Sequence, residues 1–221
     1  MEEAINEIAA NANSRLQVLL RGRRYFTEAV MIRLYKSQVL SYLEYATPAI
    51  YHAPQFFLQR LDCIQHRFLE FIDISVQDAL IKYHLAPLSS RRDVSMLGLI
   101  HRTVLGQGPK QFCDYFKLET VPHFPRGLLH RELRHAYQLH DATDGSESNA
   151  LKRSVLSLIY PYNLLPPRTV AHSKVSTFQR SLQNAVKHAY KLGVRNWECI
   201  LSSGMRQTSI SMFQSYFDDA A

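Results

Sequence analysis

Near its C-terminus the chain carries Tyr216, Phe217, Asp218 and Asp219 in the run FQSYFDDAA, two adjacent carboxylates behind aromatic side chains. Adjacent aspartates can hold paired magnesium ions for in-line phosphoryl transfer when a tight hairpin of two strands sets them beside a third carboxylate. Only two alanines follow Asp219, too few for a returning strand, and no earlier segment reads as a strand ending in aspartate. Ile210, Phe213 and Phe217 instead share one face of a short terminal helix. Carboxylates are unfavourable at the negative end of a helix dipole, so a frayed end is expected there.

Other chemistry-bearing patterns are incomplete. Cys63 and His66 lie one helical turn apart, but His130, His135 and His140 recur every five residues, which scatters them around a helix. No Cys-x2-Cys pair completes a zinc site, and no metal or other cofactor is implied. LGQGPKQF, residues 105–112, has glycines and Lys110 without the strand and the Lys-Ser/Thr ending of a phosphate cradle. Cys63, Cys113 and Cys199 are widely spaced and odd in number, which argues against a disulfide framework; they are expected as buried small hydrophobes in a reducing compartment.

The basic residues form a clearer pattern. Lys and Arg total 26 against 19 Asp and Glu, a formal net charge of +7. Arg15, Arg21, Arg23, Arg24, Arg33 and Lys36 fall in one short stretch whose single acid is Glu28, and Arg91 and Arg92 sit in SSRRD. Arginines beside aromatics, as in RGRRYF, neutralise phosphates and stack on sugars or bases. Against this stands a structural reading: basic side chains complement a helix C-terminus, and Arg91 or Arg92 pairs internally with Glu44 or Asp93.

The elements that must position these groups read as helices throughout. Glycine is scarce, at 8 residues, and apolar residues recur at helical spacing, so the fold class is all-α. The first helix is expected over 3–20 with Ile5, Ile8, Ala12, Leu16 and Leu19 on one face. A second follows Thr27 as N-cap and runs to Pro48, and a third starts at Pro54 with Phe57, Leu58, Leu61, Ile64, Phe68 and Ile72 as its stripe. Ser75 caps a fourth; Ser89 or Ser90 caps a longer one reaching residue 105. Residues 128–139 are expected to be helical, and DATDGSESN is acidic and free of apolar residues, a linker. Beyond it, SVLSLIYPYNLLPP is apolar but broken by prolines, so irregular packing is expected. Ser176 with Gln179 forms a capping box, and Gly193 a left-handed stop. The expected organisation is an irregular helical bundle over 1–140, a flexible linker over 141–150 and a smaller C-terminal helical part over 151–221. No run is long enough to span a bilayer, and the acidic start MEEAINEIAANAN is unlike a signal peptide, so a soluble intracellular protein, nuclear or cytoplasmic, is expected.

Four segments in order resemble one known family. LYKSQVLSYLEYATPAIYHA (34–53) is similar to the helix just beyond the palm in reverse transcriptases of non-LTR, LINE-type retrotransposons. LQRLDCIQHRFL (58–69) is similar to that family's next helix, and LAPLSSRRDVSMLGLIHR (85–102) to its P-L-x-x-R-R segment. YNLLPPRTVAHSKVSTFQRSLQ (162–183) resembles its tail, where an N-x-L-P element precedes F-x-x-x-L, although Tyr162 stands where others carry Trp. The resemblance spans about 5–197 and implies the thumb and post-thumb region without the catalytic palm. It therefore implies a non-catalytic fragment of an RNA-directed DNA polymerase that grips the backbone of RNA, DNA or a hybrid without sequence specificity, in company with a palm supplied elsewhere. Arg21, Arg23, Arg24, Arg33, Lys36, Arg91 and Arg92 are the expected contacts. The alternatives are a helical protein-interaction scaffold, docking through Tyr51, Phe56, Phe57 and LIYPYNLL, and a remnant with no selected function.

Overall fold

The structure, a computed structural model, describes residues 1–119, 135–141, 143, 148–202 and 209–218. It is all-α: among the described residues there is no strand, and Leu118 and Leu139 form an isolated antiparallel bridge. The chain divides into two compact units, Met1–Arg92 and Asp93–Ala221. This division differs from the one read from composition, since residues 141–150 fall inside the second unit, and half of that expected linker (142 and 144–147) lies outside the described residues.

In the first unit, α1 (Glu2–Arg21) has Glu2 and Glu3 in its first turn and Arg21 in its last, the charge order that a helix dipole favours. Its buried Ile5, Ala12, Leu16, Leu19 and Leu20 face the core it shares with the helix Gln55–Phe71. After a 3-10 turn (Arg23–Tyr25), α2 (Glu28–Tyr35) follows Thr27, whose side chain makes no capping bond although the residue stands at the N-cap. The helix then widens into a π stretch (Lys36–Leu40) before α3 (Ser41–Tyr45). A π turn holds one extra residue, and here both Val39 and Leu40 face inward, with Tyr35 and Leu43 buried on either side. Pro48 lies in the first turn of α4 (Thr47–Ile50).

Helix α5 (Gln55–Phe71) follows Pro54 and buries Leu58, Leu61, Ile64 and Phe68, most of the expected stripe. Tyr35 stacks on Phe68 with ring centroids 4.1 Å apart and planes 6° from parallel. Burying side chains of this size is worth about 1.5–3 kcal/mol each, so the stripe contributes substantially to the unit's core. Ser75 caps α6 (Val76–Tyr83) by accepting from the Asp78 N–H at 3.0 Å, and His84 ends that helix in the left-handed conformation. Then α7 (Leu88–Val104) begins earlier than expected, so Ser89 and Ser90 lie inside its first turn; the division between the units falls within it.

The second unit is built around a histidine. His101 on α7 is fully buried, its ring stacked on Phe178 at 4.0 Å. The His172 carbonyl, 2.8 Å from Nε2, can only accept, so Nε2 carries the proton and Nδ1 accepts from the Tyr162 hydroxyl at 3.0 Å. His135, also buried, is fixed in the same tautomer: Nδ1 accepts from the Tyr137 N–H at 3.2 Å and Nε2 donates to the Tyr162 carbonyl at 3.1 Å. Residues 135–139 are not helical. Asn163 clasps both backbone groups of Leu139, accepting from its N–H at 2.8 Å and donating to its carbonyl at 2.7 Å; residues 128–134 lie outside the described residues.

The proline-rich segment folds as expected into short pieces. They are a 3-10 turn (Val155–Leu158), α9 (Ile159–Leu164) and α10 (Pro167–Val170), with Leu158, Ile159, Tyr162, Leu164 and Leu165 buried; before them α8 (Asn149–Arg153) begins inside the expected linker. Helix α11 (Val175–Lys191) starts one residue before Ser176, so the expected capping box does not form; Gln179 instead lies against α7, where a Cβ on Gly98 would collide with its amide. Gly193, at φ +73°, stops α11 as expected. Trp197 is buried edge-on to Tyr190 at 5.5 Å, and α12 (Ile210–Ser215) is capped by the Ser209 hydroxyl.

Burial holds the His101 pKa below its ordinary 6.5, a shift only partly offset by its bond to the His172 carbonyl. Between that lowered value and 6.5 the unfolded chain binds more protons, so the contribution of His101 to stability is complete above 6.5 and is lost as the pH falls below it. Urea unfolding followed by Trp197 fluorescence should show the second unit weakening between about pH 7.5 and 5.5. His101→Leu should cost about 1–3 kcal/mol at the upper pH, because Tyr162 loses its acceptor and the His172 carbonyl its donor, and should make the pH dependence shallower.

Candidate nucleic-acid interface

The seven basic residues singled out by sequence separate into two groups. Arg91 and Arg92 are turned inward. Arg92 forms a two-pronged pair with Asp62 on α5, at 2.7 and 3.0 Å, with only 6% and 20% of the two side chains exposed. Arg91 grips Glu44 of α3 in the same way, Nε to one carboxylate oxygen and a terminal nitrogen to the other at 3.1 Å. Lys36 is half-buried and donates to the carbonyl of Tyr83, the last residue of α6, whose carbonyls lack helical partners. Burial and the adjacent Arg91 charge hold the Lys36 ammonium below the usual lysine range. These three side chains, together with Gln65 donating to the Ala86 carbonyl at 3.0 Å, tie α5, α6 and the start of α7 to the α2–α3 segment.

Arg21, Arg23, Arg24 and Arg33 form the other group. None of them makes an ion pair with a described residue. Arg21, Arg24 and Arg33 are exposed and Arg23 is half-exposed. The 3-10 turn that carries Arg23 and Arg24 is closed by the Tyr25 N–H donating to the Gly22 carbonyl at 2.9 Å. Phe26 lies across Gly22, where an added Cβ would be 3.0 Å from its ring. The one acid in this stretch, Glu28, accepts a hydrogen bond from the Tyr83 hydroxyl and so is drawn towards α6. Arg15 is partly used as well, donating to the Gln38 carbonyl at 3.2 Å with its guanidinium 4.3 Å above the Tyr42 ring.

Sequence reasoning noticed the aromatics of RGRRYF without including them among the contacts. Tyr25 and Phe26 are 74% and 43% exposed, and the Arg24 guanidinium lies 5.4 Å from the Tyr25 ring centre. The signal was local: aromatics between a helix end and an N-cap have no helical face on which to be buried.

Elsewhere the expected candidates take ordinary places. Tyr216 and Phe217 are buried in the turn after α12, and Asp218 pairs with Arg168 at 2.9 Å; this tail is packed down rather than frayed, and Asp219 lies outside the described residues. Cys63, Cys113 and Cys199 are exposed, not buried, because Cys63 falls off the apolar stripe of α5 and the other two lie in turns. Among the described residues no three His, Cys, Asp or Glu side chains converge in a way that could hold a metal. Of the expected docking residues, Phe56 is exposed and Phe57 and Tyr51 are half-buried, while LIYPYNLL is largely interior. No described helix is long and apolar enough to cross a membrane. No protein-family model matches the chain, and neither the curated proteins nor the solved structures yield a match.

The two groups should respond oppositely to mutation. Arg92→Ala leaves the Asp62 carboxylate uncompensated inside the fold and should cost about 3 kcal/mol or more in urea denaturation. Arg23→Ala should remain within about 0.5 kcal/mol of the parent protein.

Proposed function

We propose that the chain is a nucleic-acid-binding helical protein of the kind its sequence resembles, the region beyond the palm of LINE-type reverse transcriptases. In this reading it holds the backbone of RNA, DNA or a hybrid without sequence specificity and carries no catalytic carboxylates of its own. One observation carries the reading: Arg21 at the end of α1, Arg23 and Arg24 in the 3-10 turn and Arg33 in the last turn of α2 make no ion pair with a described residue. Unpaired arginines neutralise phosphates and release counterions, so binding of this kind weakens steeply with salt and ignores base identity. Lys36, Arg91 and Arg92 contribute by holding the helices that carry the turn.

Fluorescence anisotropy with a labelled RNA–DNA hybrid across a salt series tests the proposal. Binding should fall linearly in log–log form, and Arg23→Ala/Arg24→Ala should weaken it and reduce the slope by about two units. An unchanged slope removes these two arginines from the site, and no binding even at low salt defeats the proposal.

A further inference from the structure

Tyr25 stands out among the large side chains near the arginines. It is 74% exposed at the top of a hydrogen-bonded turn, with Arg24 5.4 Å from its ring centre and Phe26, 43% exposed, beside it. The turn is not a loose loop. It is closed by the Tyr25 N–H to the Gly22 carbonyl, and the fit of Phe26 over Gly22 holds its far side. An aromatic face held on a firm turn among unpaired cations has the two parts of a single-strand site, a surface on which a base can stack and charges that follow its phosphates.

We infer that the turn 21–26 binds single-stranded nucleic acid, with Tyr25 as a stacking platform for an unpaired base and Arg21, Arg23 and Arg24 on the flanking phosphates. Bases within a duplex are stacked on both faces and present only edges and backbone, so an exposed ring adds little there; in a single strand the base face is open. Stacking is indifferent to base identity, because every base has a π-face, so this assignment keeps the binding non-specific. The Arg24 guanidinium lies over one face of the Tyr25 ring, 5.4 Å from its centre, so a base stacks on the opposite face while the charge stays close to the phosphates of the same strand. The inference rests on the nucleic-acid-binding proposal above and adds to it the strandedness of the ligand.

The test uses the full chain, a labelled mixed-sequence single strand and the RNA–DNA hybrid of the same length, at one low salt concentration. The single strand should bind at least as tightly as the hybrid. Tyr25→Ala should weaken single-strand binding about tenfold or more while changing hybrid binding little, and Tyr25→Phe should restore it. Circular dichroism should show both variants folded, since the side chain is exposed. If Tyr25→Ala leaves single-strand binding intact, or weakens both ligands equally, the stacking assignment is overturned and backbone binding stands. If the parent protein binds neither ligand, the underlying proposal fails and the inference fails with it.

Discussion

The first unit depends on the pairing of Arg92 with Asp62. A guanidinium with this little exposure is tolerable only when a carboxylate meets it along both prongs, because neither charge recovers its hydration inside the fold. That requirement fixes the start of α7 against α5 to within a hydrogen-bond length, in both distance and rotation. With α7 so placed, its preceding residue Arg91 reaches Glu44 on α3, and the Ala86 carbonyl just before the helix meets Gln65. The apolar core, the α5 stripe included, supplies stabilising energy, but apolar contact is non-directional. The charged pairs determine which face meets which.

This arrangement also sorts the cations by function. A basic residue is available to a polyanion only if the fold has not already supplied it with an acceptor. Arg91, Arg92 and Lys36 are already bonded to a carboxylate or a carbonyl, and Arg60 and Arg67 of α5 donate to Asn6 and Asn13 on α1. The arginines around the first turn have no ion pair with a described residue. The net charge of the chain is therefore a poor guide to which cations are available; the distribution of acceptors decides which remain.

Much that depends on near neighbours was legible in the sequence. The α5 stripe, the Ser75 cap, the left-handed Gly193 and the proline-broken path around Tyr162 all follow from residues within a turn of each other. The caps expected from Thr27 and Ser176, equally local, do not form. Of the long-range partners, Glu44 was offered for Arg91 or Arg92 and pairs with Arg91; the others were not legible. Asp93 looked like a partner for Arg92, but consecutive residues on a helix point about 100° apart, and Asp62 on another helix wins. Lys36 looked like one more cation of a basic run, and nothing local shows that the end of α6 brings a bare carbonyl to it. Gln179 was assigned to a cap and is placed against Gly98 instead, a contact between helices far apart in sequence. His101, inside an apolar helical run, gave no sign of the Tyr162 and His172 groups that fix its tautomer.

The widened turn at Lys36–Leu40 has a consequence for how this chain can change in length. A π turn is an α-helix with one residue too many, so losing a residue there would leave a regular helix and break no chain connection. Because the widened turn already absorbs that residue, the helix on either side would keep its register, with Tyr35 still on Phe68 and Glu44 still within reach of Arg91. The loss would be felt within the turn itself, where Val39 and Leu40 are both buried. Insertions and deletions are usually tolerated in loops; here the interior of a helix stores a residue whose loss the partners on either side would not register.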